Sequence, residues 1–415
     1  MVHTTSDSQA QAYDVHGRYL RSVDRNAMNK LLLNKLDTMP NVRVHFQHKL
    51  NGVDLRAKKA WFEDRNASSA GRKDGERPPE TEVTFDLLIG ADGAHSAVRH
   101  QMMKFTRMDY SQTYIDSLWC EFTMTPTANH ASAPSHVSTH KSSPSDTGYR
   151  MPVNYLHIWP AGTSMFIALP SPGGFFVCTL FGPAELFSRL EASTSPSSPD
   201  FDDGARLVEI FDELFPGVSK HIPPASLIEQ FKRNPHLPLV NIKASPHHYS
   251  DSAVIVGDSA NAIVPFYGQG MNAGLESVRI LWEAIDQAKE DSEGWHGWMA
   301  DGLGRYSKAR IRDTHAIADL ALGNYHEMAA GVVSKSYKVR KWIEEFLYAH
   351  VPSLGWQTQY SRVSFSNERY SEVIKKSQRQ KKILTTVLNL TASGVVGGIG
   401  YYVYQFTRIG RRFHQ

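Results

Sequence analysis

The chain has 415 residues, too many for one compact core, and this length implies two to three domains. With 41% hydrophobic and 21% charged residues it is neither disordered nor collagen-like, and 45 basic against 42 acidic residues give no support to a nucleic-acid-coating role. Two cysteines, Cys120 and Cys178, exclude a disulfide scaffold and fit a reducing compartment.

Residues Met1–Ala12 are polar and lack the apolar core of a secretory signal. A helix is predicted over 26–37, where Leu31, Leu32, Leu33 and Leu36 recur, followed by a short strand VRVHFQ at 42–47. Residues 64–80 read as a polar loop, and VTFDLLIGADG at 83–93 as a buried strand ending in a tight turn. Alternating strands are predicted at 114–122, 154–160, 163–170 and 175–181. Between the first two, residues 124–150 are rich in Ser, Thr, Pro and His and read as a surface insertion. Its His130, His136 and His140 have no Cys or carboxylate spaced with them, so no metal site is expected. A helical stretch at 203–215 precedes SAVIVGDSA at 252–260, which returns to buried-strand character, and helices dominate from Gly270 to about His350. No internal repeat is apparent.

The pattern is an α/β fold interrupted by an antiparallel sheet and then resumed. The expected division is 1–112 for a ligand-binding α/β domain and 113–250 for the sheet domain. The α/β domain returns over 251–290, a helical region follows over 291–372, and a membrane helix over 383–404. That last segment, Ile383 to Tyr404, runs 22 residues without a charge, about 33 Å of helix against a hydrocarbon core of about 30 Å. Lys375, Lys376, Arg379, Lys381 and Lys382 precede it, and Arg408, Arg411 and Arg412 follow. Tyr401, Tyr402 and Tyr404 gather at one end, where amphipathic rings favour the membrane interface. The heavier basic cluster upstream favours a cytosolic globular part.

Two glycine-aspartate turns carry chemistry. Leu88-Ile89-Gly90-Ala91-Asp92-Gly93 ends a strand in a turn tight enough to bring backbone near a ligand, and Asp92 can accept hydrogen bonds from N–H or hydroxyl groups. Val254-Ile255-Val256-Gly257-Asp258 sets Asp258 at a strand's carboxyl end, the ligand edge of an open α/β sheet. Beyond it, Gly268 and Gly270 permit backbone to approach a flat ligand, and the free N–H groups of the helix that follows favour negative charge. Either turn alone is ordinary; the pair, with a sheet domain between, is specific.

On these residues the chain resembles the single-component FAD-dependent aromatic hydroxylases, and within them the kynurenine 3-monooxygenase group. The resemblance rests on GADGAHSAVR, MDYSQTYI, NYLHIWPAGTSMFIALP, CTLFGP and AVIVGDSANAIVPFYGQGMNAGLE, and runs from Tyr13 to the C-terminus. It implies FAD as cofactor, NADPH and O2 as co-substrates, and 3-hydroxylation of L-kynurenine on the route from tryptophan to NAD. It also implies the mitochondrial outer membrane, with the globular part facing the cytosol. By the same resemblance, Asp258 holds the flavin's ribityl chain, Met271 and Asn272 are the backbone pair beside its ring, and Arg25 and Leu50 pack on it. Ala97 stands where the family often has Thr. Tyr13, Asn324 and Tyr360 match substrate contacts. No protein base is nominated, because kynurenine's own aniline nitrogen activates the ring.

The family begins with a strand, a Gly-x-Gly-x-x-Gly turn and a helix that cradle the FAD pyrophosphate. No such sequence precedes Tyr13, so a truncated gene model is expected, with weakened FAD binding. Two alternatives stay open: a flavin hydroxylase acting on another phenol or quinone, and an inactive membrane-anchored fragment.

Overall fold

The structure is a computed structural model that describes residues 1–3, 8–10, 12–65, 79–127, 148–292, 297–330 and 335–390. In chain order the strands are β1 (Val2–His3), β2 (Ser8–Gln9), β3 (His48–Asp54), β4 (Lys59–Asp64), β5 (Glu80–Thr84) and β6 (Leu88–Gly90). They continue as β7 (Asp109–Met124), β8 (His157–Ala161), β9 (Ser164–Ser171), β10 (Phe175–Gly182), β11 (Leu237–Ser245), β12 (His248–Tyr249) and β13 (Ala253–Ile255). The helices are α1 (Arg25–Asp37), α2 (Ala97–Met102), α3 (Ala184–Thr194), α4 (Ala205–Leu214), α5 (Val218–His221) and α6 (Pro224–Arg233). After them come α7 (Gly270–Asp291), α8 (Trp298–Ala330), α9 (Lys335–His350) and α10 (Gln359–Phe365). Chain contacts divide the molecule into two units, Met1–Val339 and Arg340–Gln415.

The alternating stretches of the middle of the chain form a seven-stranded sheet in the order β11-β7-β10-β9-β8-β1-β2. Its central ladders are antiparallel, with Cys178 opposite Phe122 and Thr179 opposite Ile167. One face buries Phe122, Phe166, Phe176, Cys120 and Cys178 against α3, α4 and α6 through Phe187, Phe211 and Phe231. Both thiols are free and buried, and burial pushes them up, that of Cys120 to about 12. Helices α3 and α6 were not anticipated from sequence. Each is short and presents its apolar residues at helical spacing, Leu186, Phe187 and Leu190 in one, Leu227 and Phe231 in the other.

Two smaller sheets flank the ligand turns. One is antiparallel, β3-β4-β5; the other sets β13 between β12 and β6, with β13 and β6 parallel. Two expectations are corrected here. The predicted strand at 42–47 is absent, and pairing starts at His48 instead. Val44 and Phe46 alternate as a strand would, yet they stay exposed and Gln47 takes a positive φ of 60° just before the ladder. The expected single strand at 83–93 is split. The Phe85 N–H donates to the Lys58 carbonyl at 3.0 Å, the last bond in register with the β4–β5 ladder; Lys58 then turns at φ 54°, and β6 begins in another sheet.

In the second unit, Tyr348, Trp356 and Leu384 form a small core with Ile343 and Leu347. Leu384 belongs to a helix over 370–390. Among the described residues no helix is long and apolar enough to cross a membrane. The expected span 383–404 lies outside the described residues from 391 on, as do most of the expected insertion (128–147) and of the loop at 64–80 (66–78).

Candidate flavin site

The two glycine-aspartate turns, distant in sequence, are joined side by side. β13 pairs in parallel with β6, Ala253 opposite Leu88 and Ile255 opposite Gly90, so both strands deliver their carboxyl ends to the same edge. There Asp92 ties the turns together. Its Oδ1 accepts from Ser96 Oγ at 2.5 Å and from Ser259 Oγ at 3.1 Å, and its Oδ2 accepts from the Val98 N–H at 3.1 Å. The Gly93 N–H donates to Ser259 Oγ at 3.0 Å. Arg99, buried, donates to the Ser259 carbonyl and to the Ala94 carbonyl, each at 2.7 Å, and stacks on Tyr110 at 4.9 Å. Burial pushes the Asp92 carboxyl up, but the hydrogen bonds from Ser96, Val98 and Ser259 together hold it below the usual carboxylate value.

Asp258 stands in contrast. It lies in the short 3-10 turn Gly257–Ser259 and has no hydrogen-bond or ion-pair partner among the described residues. Water reaches its carboxylate, yet enough protein surrounds the group that desolvation raises its pKa; the Arg25 charge, at the start of α1, works the other way. The turn packs on α7 by backbone alone. Gly257 has φ +59°, and a Cβ placed on Gly274 would sit 3.7 Å from the Gly257 Cα. Met271 and Asn272 lie in the first turn of α7, where backbone N–H groups have no partner within the helix and where the Gln269 side chain caps none of them, its Oε1 accepting instead from Asn272 Nδ2 at 3.2 Å. Gly268, at φ +64°, faces open space.

The expected cofactor residues thus fall into two adjoining groups. Arg25, Asp258, Met271 and Asn272 belong to the Asp258 turn and the elements beside it. Leu50 and Ala97 line an open cleft of about 620 Å³ together with Phe62, Ile89, Asp92 and His95. The shared Asp92–Ser259 bond connects the groups. An unpartnered carboxylate, an open helix N-terminus and a cleft lined by both polar and apolar side chains fit a flat ligand that carries hydroxyls and takes on negative charge.

The expected substrate residues lie on three separate segments. Asn324, on α8, donates from its Nδ2 to the Phe266 carbonyl at 2.8 Å and so braces the loop that leads into α7. Phe266 sits between the rings of Phe181 (5.0 Å) and Tyr325 (4.6 Å). Tyr13 is partly covered, and burial raises its hydroxyl. Tyr360 lies on α10 in the second unit, 6.4 Å from the Phe365 ring. Ser259, Arg99 and Arg310 escaped the sequence reading. Arg99 and Ser259 had a signal, as members of GADGAHSAVR and SAVIVGDSA; Arg310 had none.

Comparison with known proteins accounts for this arrangement. Residues 2–168 match the model of an FAD binding domain. The fold is shared with a probable FAD-dependent monooxygenase from Pseudomonas aeruginosa, with a TM-score of 0.50 and 17% identity over 73% of this chain and 70% of that one. Kynurenine 3-monooxygenase from Neurospora crassa is 50% identical over 396 residues, 94% of this chain and 72% of that protein. The Chaetomium globosum enzyme of the same name is 49% identical over 98% of this chain and 79% of its own length. The chain belongs to the kynurenine 3-monooxygenase family.

Proposed function

We infer that the protein is an FAD-dependent monooxygenase that hydroxylates L-kynurenine to 3-hydroxykynurenine with NADPH and O2. The structural observation that carries the flavin site is the unpartnered, partly desolvated Asp258 carboxylate at the open N-terminus of α7. The substrate follows from the family, whose Neurospora crassa member is 50% identical to this chain over 396 residues. Bound FAD would supply the redox chemistry, with NADPH giving two electrons, one oxygen atom of O2 going to the ring and the other leaving as water.

The chain's own residues bind and orient. Asp258 accepts hydrogen bonds from polyol hydroxyls of the cofactor, which favour its charged form. The N–H groups of Met271 and Asn272 favour the negative charge that reduction places on the flavin. Arg25 adds a positive charge on the same side. Leu50 and Ala97 supply the apolar wall of the cleft. For the substrate, Tyr13, Asn324 and Tyr360 are the residues proposed to make contact, and no side chain is assigned as a base. The tail at 383–404 is proposed to anchor the protein in the mitochondrial outer membrane, supported by its uncharged run and basic flanks.

Flavin absorbance of the purified chain and kynurenine-dependent NADPH oxidation test the reading together. Stoichiometric FAD, and oxidation stimulated by kynurenine but not by simple phenols, is the expected result. Stimulation by phenols alone would move the protein to another hydroxylase class. Absence of flavin after reconstitution would defeat the assignment of this chain as a functional hydroxylase. Alkaline carbonate extraction of mitochondria, with and without residues 383–415, tests the anchor: the full chain should stay with the membrane and the shortened one should not.

A further inference from the structure

The turn of α7 that follows its first is held by one buried cation. Arg310, on α8, is 1% exposed. Its Nε donates to Ser277 Oγ at 2.9 Å, one Nη to Glu276 Oε2 at 2.7 Å, and the other Nη to the Ala273 carbonyl at 2.8 Å. Ser277 Oγ donates to the same Ala273 carbonyl at 2.8 Å. The guanidinium therefore closes a ring on residues 273–277, the turn directly after Met271 and Asn272.

The same face of α8 also grips the strand that leads to Asp258. Tyr306 donates its hydroxyl to the Ile255 carbonyl at 3.2 Å, and Ser307 Oγ accepts from the His247 N–H at 2.9 Å. Positions 306, 307 and 310 lie within one arc of the helix. The two helices approach closely at Gly302, where an added Cβ would sit 2.9 Å from the Ile285 Cα. One helix face thus sets the distance between the end of β13 and the start of α7.

A buried guanidinium is a poor choice for filling volume. It carries a desolvation penalty that an apolar residue of similar size avoids, and it is retained where its rigid fork fixes geometry. We propose that Arg310 is a positioning residue for the flavin: through the Ala273 carbonyl and Ser277 it fixes the first turn of α7, so that the N–H groups of Met271 and Asn272 stay aimed at one point relative to the Asp258 turn. This rests on the reading of the α7 N-terminus as the flavin side of the site, and the test separates the two.

Hydrogen exchange by mass spectrometry on the FAD-free full chain reads the positioning without any cofactor. In Arg310→Met the amides of 270–277 should exchange about tenfold faster, while a sheet segment over 118–124 keeps its protection. Arg310→Lys, which keeps the charge but not the fork, should fall between Arg310→Met and the wild type. Arg305→Ala, whose partners Asp291 and Asp301 are exposed, should match the wild type. Unchanged exchange over 270–277 in Arg310→Met, or equal acceleration over 118–124, overturns the proposal. Should Arg310→Met fail to fold, the same comparison between Arg310→Lys and Arg305→Ala decides it. A separate FAD titration, followed by quenching of flavin fluorescence, should weaken about tenfold in Arg310→Met. Failure of the wild type to bind FAD would overturn the site reading instead, leaving the exchange result to stand.

Discussion

Asp92 and Asp258 occupy neighbouring turns and face opposite circumstances. Asp92 is satisfied: its pKa is depressed, so its contribution to stability is present above the ordinary value of 3.8 and is lost as pH falls through the lower folded value. Asp92→Asn turns an acceptor into a partial donor against three donors, and should cost about 0.5–2 kcal/mol, at the lower end because water reaches the group. Urea unfolding at pH 7 measures it; an unchanged midpoint would mean the clasp between the turns is not what holds them. Asp258 has the reverse sign. Its folded pKa is raised, so the ionised group detracts from stability above that value. Asp258→Asn should therefore leave the FAD-free protein no less stable in a thermal melt, while weakening FAD about tenfold through loss of a charge-assisted hydrogen bond. Loss of thermal stability would make Asp258 a structural residue.

At the scale of elements, two glycines look alike in sequence and differ in what surrounds them. A Cβ on Gly90, the last residue of β6, would lie 2.7 Å from the Val98 Cβ of α2 and 2.9 Å from Ile255 Cγ2. Gly90→Ala must push helix from strand and should cost about 1–3 kcal/mol. On Gly274, in α7, the nearest atom to a Cβ is the Gly257 Cα at 3.7 Å, an ordinary contact. Gly274→Ala should be neutral or stabilising by up to about 1 kcal/mol, since alanine favours helix. Chemical denaturation of the two variants, side by side, gives the answer; equal losses would show that the α7 contact is as tight as the β6 contact. The glycine-aspartate turns were legible in sequence because each is local, a strand followed by a turn. The contrast between the glycines was not, because Val98 and Gly257 come from other elements. The break after Phe85 was hidden for the same reason: alternation runs through it, and the ladder ends because the partner strand turns at Lys58, φ 54°. Arg310 left no trace either, since its partners lie 33 to 37 residues away on another helix.

For the molecule as a whole, the first unit carries buried histidines that work against acid. His247 is fully buried; its Nε2 donates to the Ala244 carbonyl at 3.1 Å, and its Nδ1 has no partner among the described residues. Burial, reinforced by the nearby His315, Arg310 and His248, lowers its pKa to about 3. His157 is also buried, between the Pro152 carbonyl and His3, and burial lowers it to about 4. Both folded values lie below the unfolded value of 6.5, so the unfolded chain binds more protons across that window. Stability is complete above pH 6.5 and declines as pH falls below it, with each histidine contributing up to about 1.4 kcal/mol per pH unit. Between pH 7 and pH 5 the two should remove about 2–4 kcal/mol from the unfolding free energy of the first unit. The carboxylates act in a lower window, since Asp92, Asp202 and Asp251 lie below 3.8. Urea midpoints at pH 7, 6 and 5 follow the loss, and His247→Leu should lessen it, because that ring then no longer takes up a proton on unfolding, while His3, His221, His248 and His315, also lowered by burial, keep their share. A midpoint independent of pH over this range, or a His247→Leu variant with the wild-type slope, would show that the buried rings do not govern the acid response.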